Sequence, residues 1–101
     1  MNDLGLKGKN VIITGGSKGI GKSTALAMAK EGANIAICAR GEEALKDAAH
    51  EISSQGTQCF QRSVDVADAN ALAGFIDQAR DTFGTIDVLI NNTSGFGMTD
   101  D

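Results

Sequence analysis

Four short apolar segments alternate with three segments of helical periodicity, and this alternation constrains the fold most. Residues 10–14 include three consecutive β-branched side chains, at 11–13, which predict a strand covered on both faces. Two further strands are predicted over 34–38 and up to about Val64, and a fourth, buried strand over 86–90. Helices are predicted over 20–31, 42–54 and 68–83. The clearest helical stripe, in the third helix, is formed by Leu72, Ile76, Ala79 and Phe83. We therefore expect an α/β fold in three layers, a doubly wound parallel sheet with right-handed crossovers and helices on both faces.

A glycine-rich turn lies between the first strand and the first helix, where an anion meets free backbone N–H groups and the positive end of the helix dipole. Residues 14–21 read Thr-Gly-Gly-Ser-Lys-Gly-Ile-Gly. Gly15 suits the tight turn, Gly19 lets the backbone approach a pyrophosphate, and Gly21 lets the helix pack closely on the sheet. The turn predicts a Rossmann-type dinucleotide site, which a bulky side chain at Gly19 is expected to block.

The same turn also fits a second phosphate-binding pattern. Residues 16–23 have the P-loop spacing of Gly, four residues, then Gly-Lys-Ser. In a nucleoside triphosphatase, Lys22 would contact the β- and γ-phosphates, Ser23 would hold magnesium, and an acidic residue would end a neighbouring apolar strand. The sequence gives little support for the required acid at the end of an apolar strand. The fourth strand ends in two asparagines, 91 and 92, and the acid nearest the end of the polar third strand is Asp65.

Three motifs in register give the chain a resemblance to the short-chain dehydrogenase/reductase family over essentially its whole length. The first turn of that family has the form Thr-Gly-x-x-x-Gly-x-Gly, which residues 14–21 match. The family has an Asp-Val pair after strand three, where this chain has Asp65-Val66. It has Asn-Asn-Ala-Gly after strand four, where this chain has Asn91-Asn92 followed by Thr93-Ser94. The resemblance thus implies a nicotinamide dinucleotide as the cofactor.

The resemblance also assigns roles to these residues. It implies that the backbone around residues 17–20 receives the phosphates, that the Asp-Val pair contacts adenine, and that Asn92 lies beside the ribose and nicotinamide. For Asn91 we expect a structural role that ties strand ends together. Thr93 is included in the site, whereas Ser94 lacks the conformational freedom of glycine and is expected to change the loop path. The expected cofactor-binding residues are Gly15, Ser17, Lys18, Gly19, Ile20, Gly21, Arg40, Asp65, Val66, Asn92 and Thr93.

The end of the second strand favours NADP over NAD. Rossmann folds that prefer NAD place an acid there, about 20 residues beyond the turn, to bind the ribose 2′-OH. This chain has Ala39 at that position, followed by Arg40. With no carboxylate to repel it, a 2′-phosphate can receive a bidentate contact from Arg40. Lys18 approaches the same phosphate from the turn, and the resemblance agrees, because NADP-dependent members of the family carry basic residues at both places.

The chain lacks the catalytic residues of the family. There, a tyrosine, a lysine four residues later and a serine carry hydride transfer, and this sequence contains no tyrosine. We expect residues 1–101 to be the NADP(H)-binding part of a single domain whose catalytic and substrate-binding part lies beyond Asp101. The expected function of the parent protein is hydride transfer between NADPH and a carbonyl or alcohol substrate, such as a 3-oxoacyl compound or another small ketone. A non-catalytic NADP(H)-binding module and the P-loop hydrolase are the alternatives.

Composition argues against several other functions. The net charge of −4 and the scattered basic residues argue against binding to nucleic acid. No apolar run is long enough for a secretory signal or a membrane span, so a cytoplasmic location is expected. Cys38 and Cys59 lack the spacing of a zinc or redox motif, so we expect reduced packing residues and no metal site. By the habit of the family, we expect a homodimer or homotetramer.

Overall fold

The computed structural model describes residues 5–92, which form four parallel strands and three helices in alternation. The strands are β1 (Asn10–Thr14), β2 (Asn34–Ala39), β3 (Cys59–Ser63) and β4 (Val88–Asn91). The helices are α1 (Gly19–Lys30), α2 (Glu42–Ser53) and α3 (Ala69–Phe83). The strands pair in the order β3-β2-β1-β4. This arrangement confirms the expected Rossmann-type α/β fold.

Two apolar clusters lie on opposite faces of the sheet, because successive side chains of a strand point to opposite sides. On one face, Val11 and Ile13 of β1 pack in a cluster with Leu45 of α2 and with alanines of α1. On the other face, Ile12 packs in a cluster with Phe75 of α3. The sheet is therefore the middle of three layers, with α1 and α2 on one side and α3 on the other.

The fourth strand differs from its prediction in two respects. It begins at Val88 rather than at residue 86. The Asp87 side chain accepts the Asn10 N–H at 2.8 Å, so this N–H is not available for a backbone hydrogen bond that would extend the pairing of β1 with β4. The expectation that this strand is buried is also wrong within residues 5–92. Val88 and Ile90 pack on the α1 and α2 side, but Leu89 is 55% exposed. The physical reason is that α3 contacts β1, β2 and β3 and leaves the Leu89 side of β4 uncovered.

A polar network around Asn10 joins the amino ends of the strands. The Asn10 side chain accepts a hydrogen bond from Asn34 Nδ2 at 3.0 Å and donates to Thr85 Oγ1 at 3.3 Å. Asn34 Oδ1 accepts the Gln58 N–H at 3.1 Å. Because Asn10 is only 8% exposed, these partners satisfy an amide that would otherwise be costly to bury. This network closes one end of the sheet, and the glycine-rich turn lies at the opposite, carboxyl end.

Neither cysteine forms a disulfide bond, and the two pack on opposite faces of the sheet. Cys38 is fully buried, and burial raises the pKa of the Cys59 thiol to about 12. Within residues 5–92, no three His, Cys, Asp or Glu side chains are grouped so that they could hold a metal ion. None of the three helices described has the length and apolar character required to cross a membrane.

Candidate functional site

The turn after β1 folds directly onto the end of β2. Gly15 has φ of +69°, and its N–H donates to Cys38 O at 2.8 Å, while the next N–H, of Gly16, reaches the same oxygen at 3.3 Å. A Cβ on Gly16 would lie 2.6 Å from Ile37 Cγ2, so only glycine allows this contact. Sequence reasoning gave roles to three glycines of the turn and missed Gly16, whose neighbour is distant in sequence. The turn is thus fixed against β2 by backbone hydrogen bonds and by close packing.

Residues at the end of β4 hold the turn from its other side. Thr14 Oγ1 donates to Asn91 Oδ1 at 2.9 Å and accepts the Asn92 N–H at 3.1 Å. The Asn92 side chain donates from Nδ2 to Gly15 O at 3.1 Å. Asn91 therefore has the role expected of it, because it ties the ends of β1 and β4 together. Asn92 lies against the turn itself, where its amide fixes the carbonyl of the first motif glycine.

Gly21 makes a close approach that no other residue could make. A Cβ at this position would overlap Gly15 O and would lie 2.5 Å from Asn92 Nδ2. The sequence predicted close packing at Gly21, but against the sheet. The atoms nearest to an added Cβ belong to the turn and to the Asn92 amide, so this glycine preserves the shape of the candidate site.

The first turn of α1 presents groups that lack partners. The helix begins at Gly19 with φ of +57°, and a Cβ there would meet no atom within 4 Å, so the space above this backbone is open. The preceding residue, Lys18, makes no side-chain capping bond. Ser17 is 3% exposed, yet its Oγ has no hydrogen-bond partner among the residues described. Since the first N–H groups of a helix also lack intrahelical partners, the arrangement fits a phosphate group.

Ile20 adds an apolar surface to the same place. Its side chain is 77% exposed although it is large and apolar, and it lies one residue into α1. An exposed isoleucine beside open backbone N–H groups is suited to a ligand that carries both phosphates and an apolar part. Lys18 is also exposed, so a cation and an apolar side chain flank the open space over Gly19.

The basic residue after β2 lies beside this turn. Ala39, the last residue of β2, is fully buried, and Arg40 is exposed. Because Cys38 O binds the turn, Arg40 emerges two residues from the point where β2 and the turn meet. Ser63 Oγ donates to Arg40 O at 3.0 Å. The structure therefore brings the Lys18 turn and the Arg40 loop to the same edge of the sheet.

The Asp-Val pair lies beyond the end of β3. Asp65 is exposed, and its Oδ1 accepts the Ala67 N–H at 3.0 Å, which forms a tight turn. Val66 is partly buried against the cluster on the α3 side. Asp68 then caps α3 by accepting the N–H groups of the second and third helical residues at 3.1 Å. The pair therefore lies at the carboxyl edge with the turn and Arg40, whereas Thr93 lies outside the residues that the structure describes.

The structure does not favour the P-loop interpretation. Lys22 Nζ forms an ion pair with Glu51 Oε2 of α2 at 2.5 Å, so its ammonium group is engaged away from the glycine-rich turn. The acid that this interpretation needs would be Asp65, whose Oδ1 is occupied by the local turn. Neither Lys22 nor Asp65 is therefore placed to contact the phosphates or the magnesium ion of a P-loop site.

A parallel sheet of this strand order, with a glycine-rich turn leading from β1 into α1, defines a Rossmann-type nucleotide-binding fold. The sequence matches the short chain dehydrogenase family over residues 9–101. The chain belongs to this family of oxidoreductases, and the resemblance drawn from its three motifs is confirmed.

Two curated relatives and one solved structure illustrate the similarity. Hydroxysteroid dehydrogenase-like protein 2 of Xenopus tropicalis is 42% identical in an alignment 101 residues long, which covers 93% of this chain and 24% of the relative. L-rhamnose 1-dehydrogenase (NADP(+)) of Thermoplasma acidophilum is 40% identical over 90 residues, with coverages of 88% and 35%. The crystal structure of NAD+-bound xylitol dehydrogenase has a TM-score of 0.81 and 34% identity, with coverages of 83% and 32%. The chain thus spans about a quarter of the length of the first relative.

Proposed function

We propose that this chain is the NADP(H)-binding part of an oxidoreductase that transfers hydride between NADPH and a carbonyl or alcohol substrate. The end of β2 carries the proposal. A buried Ala39 followed by an exposed Arg40 leaves no carboxylate where NAD-preferring Rossmann folds have one. Membership of the family supports a nicotinamide cofactor, and the name of one relative includes NADP(+).

The pyrophosphate of the cofactor would lie over Gly19, where the structure leaves open space at the start of α1. The N–H groups from Gly19 to Gly21 would donate to it, helped by the helix dipole. The Ser17 hydroxyl, which has no hydrogen-bond partner within residues 5–92, would gain one. The exposed side chain of Ile20 would be covered by the cofactor, which removes apolar surface from water.

The adenosine half would lie across the ends of β2 and β3. Arg40 and Lys18 would hold the 2′-phosphate from two sides, because the turn and the Arg40 loop meet at Cys38 O. Asp65 and Val66 would contact the adenine ring. Asn92, with Thr93, would lie beside the ribose and nicotinamide, and the contact of Asn92 with Gly15 O supports this placement by putting its amide next to the turn.

The remaining chemistry is proposed for a part of the protein beyond residue 101, because the chain contains no tyrosine to move a proton at the substrate oxygen. Bound NADPH would supply the hydride. The substrate would be a small ketone or the corresponding alcohol, and the protein would act in the cytoplasm as a homodimer or homotetramer. Incubation of the 101-residue chain with NADPH and simple ketones should give no oxidation of the cofactor.

The cofactor preference is tested by titrating the chain with NADPH and NADH, before and after the change Arg40→Ala. Charge-assisted hydrogen bonds contribute about 1.5–3 kcal/mol, so the affinity for NADPH should fall by roughly tenfold or more, with little change for NADH. The matched control is Arg80→Ala, which removes the same charge from α3, where Arg80 forms an i,i+3 ion pair with Asp77 of the same helix. This control should leave both affinities unchanged.

Two results would count against the proposal. An equal loss of NADPH and NADH affinity in Arg40→Ala would show that Arg40 supports the fold and does not recognise a 2′-phosphate. A wild-type chain that binds NADH at least as tightly as NADPH would remove the assigned preference and leave the family assignment in place.

A further inference from the structure

The last residue of β3 makes a hydrogen bond that regular strand pairing does not explain. Ser63 lies opposite Ala39 in the parallel register of β2 and β3. Its hydroxyl donates to Arg40 O at 3.0 Å, and the next residue, Val64, donates its N–H to Ala39 O at 2.9 Å. The carbonyls of Ala39 and Arg40 are therefore held by the residue that follows β3 and by the last residue of β3, respectively. The bond to Arg40 O comes from the Ser63 side chain and extends the contact beyond β2.

We propose that Ser63 is a positioning residue that fixes the backbone of Arg40 and so sets the direction of its guanidinium group. This inference rests on the proposed recognition of a 2′-phosphate by Arg40. Arg40, whose carbonyl accepts the Ser63 hydroxyl, belongs to a short connection, because β2 ends at Ala39 and α2 begins at Glu42. A change of backbone angle at this point redirects the long arginine side chain.

Within residues 5–92, the connection after Arg40 is held at its far end, where the Leu45 N–H donates to Gly41 O at 3.0 Å, but the Arg40 side chain itself has little restraint. Its side chain is exposed and forms no ion pair with the acids of that range. The following residue, Gly41, would have no atom within 4 Å of an added Cβ, so no packing fixes the connection there. Glycine also permits a wider range of backbone angles than other residues do. The Ser63 hydroxyl is thus the side-chain contact that the structure offers for holding the Arg40 backbone.

The effect should be selective for one phosphate of the cofactor. A bidentate arginine contact depends on the direction of the guanidinium plane, so the 2′-phosphate is sensitive to the Arg40 backbone. A 5′-phosphate would rest on the turn after β1, which is held by Cys38 O and Asn92 and does not involve Ser63. Loss of the hydroxyl should therefore weaken recognition of the 2′-phosphate and leave the 5′-phosphate unaffected.

The test uses adenosine 2′,5′-bisphosphate and 5′-AMP as probes and measures both affinities of the chain by calorimetry. Ser63→Ala should reduce the preference for the bisphosphate by about threefold to tenfold, which is the contribution of one hydrogen bond. Ser63→Thr keeps the hydroxyl and suits a strand, so it should retain the preference. The matched control is Ser54→Ala, which also removes a hydroxyl bonded to a backbone carbonyl, Glu51 O at 2.6 Å, but at the end of α2.

A double variant shows whether Ser63 acts through Arg40. In an Arg40→Ala background, Ser63→Ala should cause no further loss of preference, because the side chain that it orients is already gone. An unchanged preference in Ser63→Ala, or an equal fall in both affinities, overturns the positioning role while leaving the proposed function standing. If the wild-type chain shows no preference for the bisphosphate, or Arg40→Ala does not reduce that preference, then the proposed function fails and this role falls with it.

Discussion

Replacement of Gly21 by alanine tests the geometry of the turn most directly. Gly21 lies in the third position of α1, where an added methyl group would overlap Gly15 O and lie 2.5 Å from Asn92 Nδ2. The obstacle on one side is backbone, which cannot rotate away. The obstacle on the other side is an amide that donates to that same Gly15 oxygen at 3.1 Å. The methyl group must therefore displace the turn, the Asn92 amide, or both.

The magnitude follows from three contributions to the free energy of unfolding. Overpacking a tight contact costs about 1–3 kcal/mol. Loss of the hydrogen bond between Asn92 and Gly15 costs about 0.5–1.5 kcal/mol. Alanine in place of glycine in a helix offsets about 1 kcal/mol of this cost. The expected result is a net loss of about 2 kcal/mol, which lowers the melting temperature by roughly 8–16 °C in a domain of this size.

Urea unfolding followed by circular dichroism measures this loss, and α3 supplies the matched control. Gly74 is also a helical glycine, but a Cβ there would meet no atom within 4 Å, so Gly74→Ala should stabilise the chain by about 0.5–1 kcal/mol. Combining Gly21→Ala with Asn92→Ala should cost less than the two single losses together, because the amide no longer obstructs the methyl group. If Gly21→Ala proved as stable as Gly74→Ala, the close approach would not exist and the reasoning would be refuted.

Three further substitutions test the core, the partly buried Cys59 thiol and the P-loop alternative. Phe75 is 1% exposed and stacks on Phe60 with ring centroids 5.8 Å apart. Phe75→Ala should therefore lower the free energy of unfolding in urea by about 3–5 kcal/mol. A loss below about 1 kcal/mol would contradict the placement of Phe75 in the core. Burial raises the pKa of Cys59 from 9.0 to about 12, so the native state disfavours the thiolate. As pH rises from 9 to about 12, the wild-type chain should therefore lose stability relative to Cys59→Val, whereas the difference between them should stay constant below pH 9. If the two free energies of unfolding change in parallel with pH over the whole range, the prediction is contradicted. Lys22→Ala breaks a partly exposed ion pair with Glu51, so it should cost less than about 1 kcal/mol of stability and leave the NADPH affinity unchanged. If the wild-type chain binds Mg-ATP tightly and this variant does not, the P-loop interpretation is restored.

The local parts of the fold were predictable because they depend on short stretches of sequence. The β-branched run of β1 and the glycines that follow it specify a strand and a turn without distant partners. The third helix was predicted from a stripe at 72, 76, 79 and 83, yet Phe75 is its most buried large side chain. Phe75 lies four residues before Ala79, so it belongs to the same helical face, and the stack on Phe60 of the neighbouring layer accounts for its burial.

The contacts that shape the candidate site were not predictable, because they join residues far apart in sequence. Gly16 meets Ile37, which belongs to the next strand, and nothing near Gly16 indicates that neighbour. Asn92 meets the Gly15 carbonyl across 77 positions. The start of β4 was placed two residues early because the sequence does not show that the Asp87 side chain takes the Asn10 N–H. The preference for NADP stays a prediction, since it depends on a ligand contact with Arg40.

The candidate site depends on the central place of β1 in the sheet. One side of its glycine-rich turn is fixed by Cys38 of β2, a contact within a single strand-helix-strand unit. The other side is fixed by the Asn92 amide, which reaches Gly15 only when β4 has paired with β1. The shape of the candidate site is therefore completed by the longest-range strand pairing among residues 5–92 and not by the glycine motif alone. A ligand that binds only the completed turn must also stabilise the pairing of β4, because binding to one conformation shifts the equilibrium towards it.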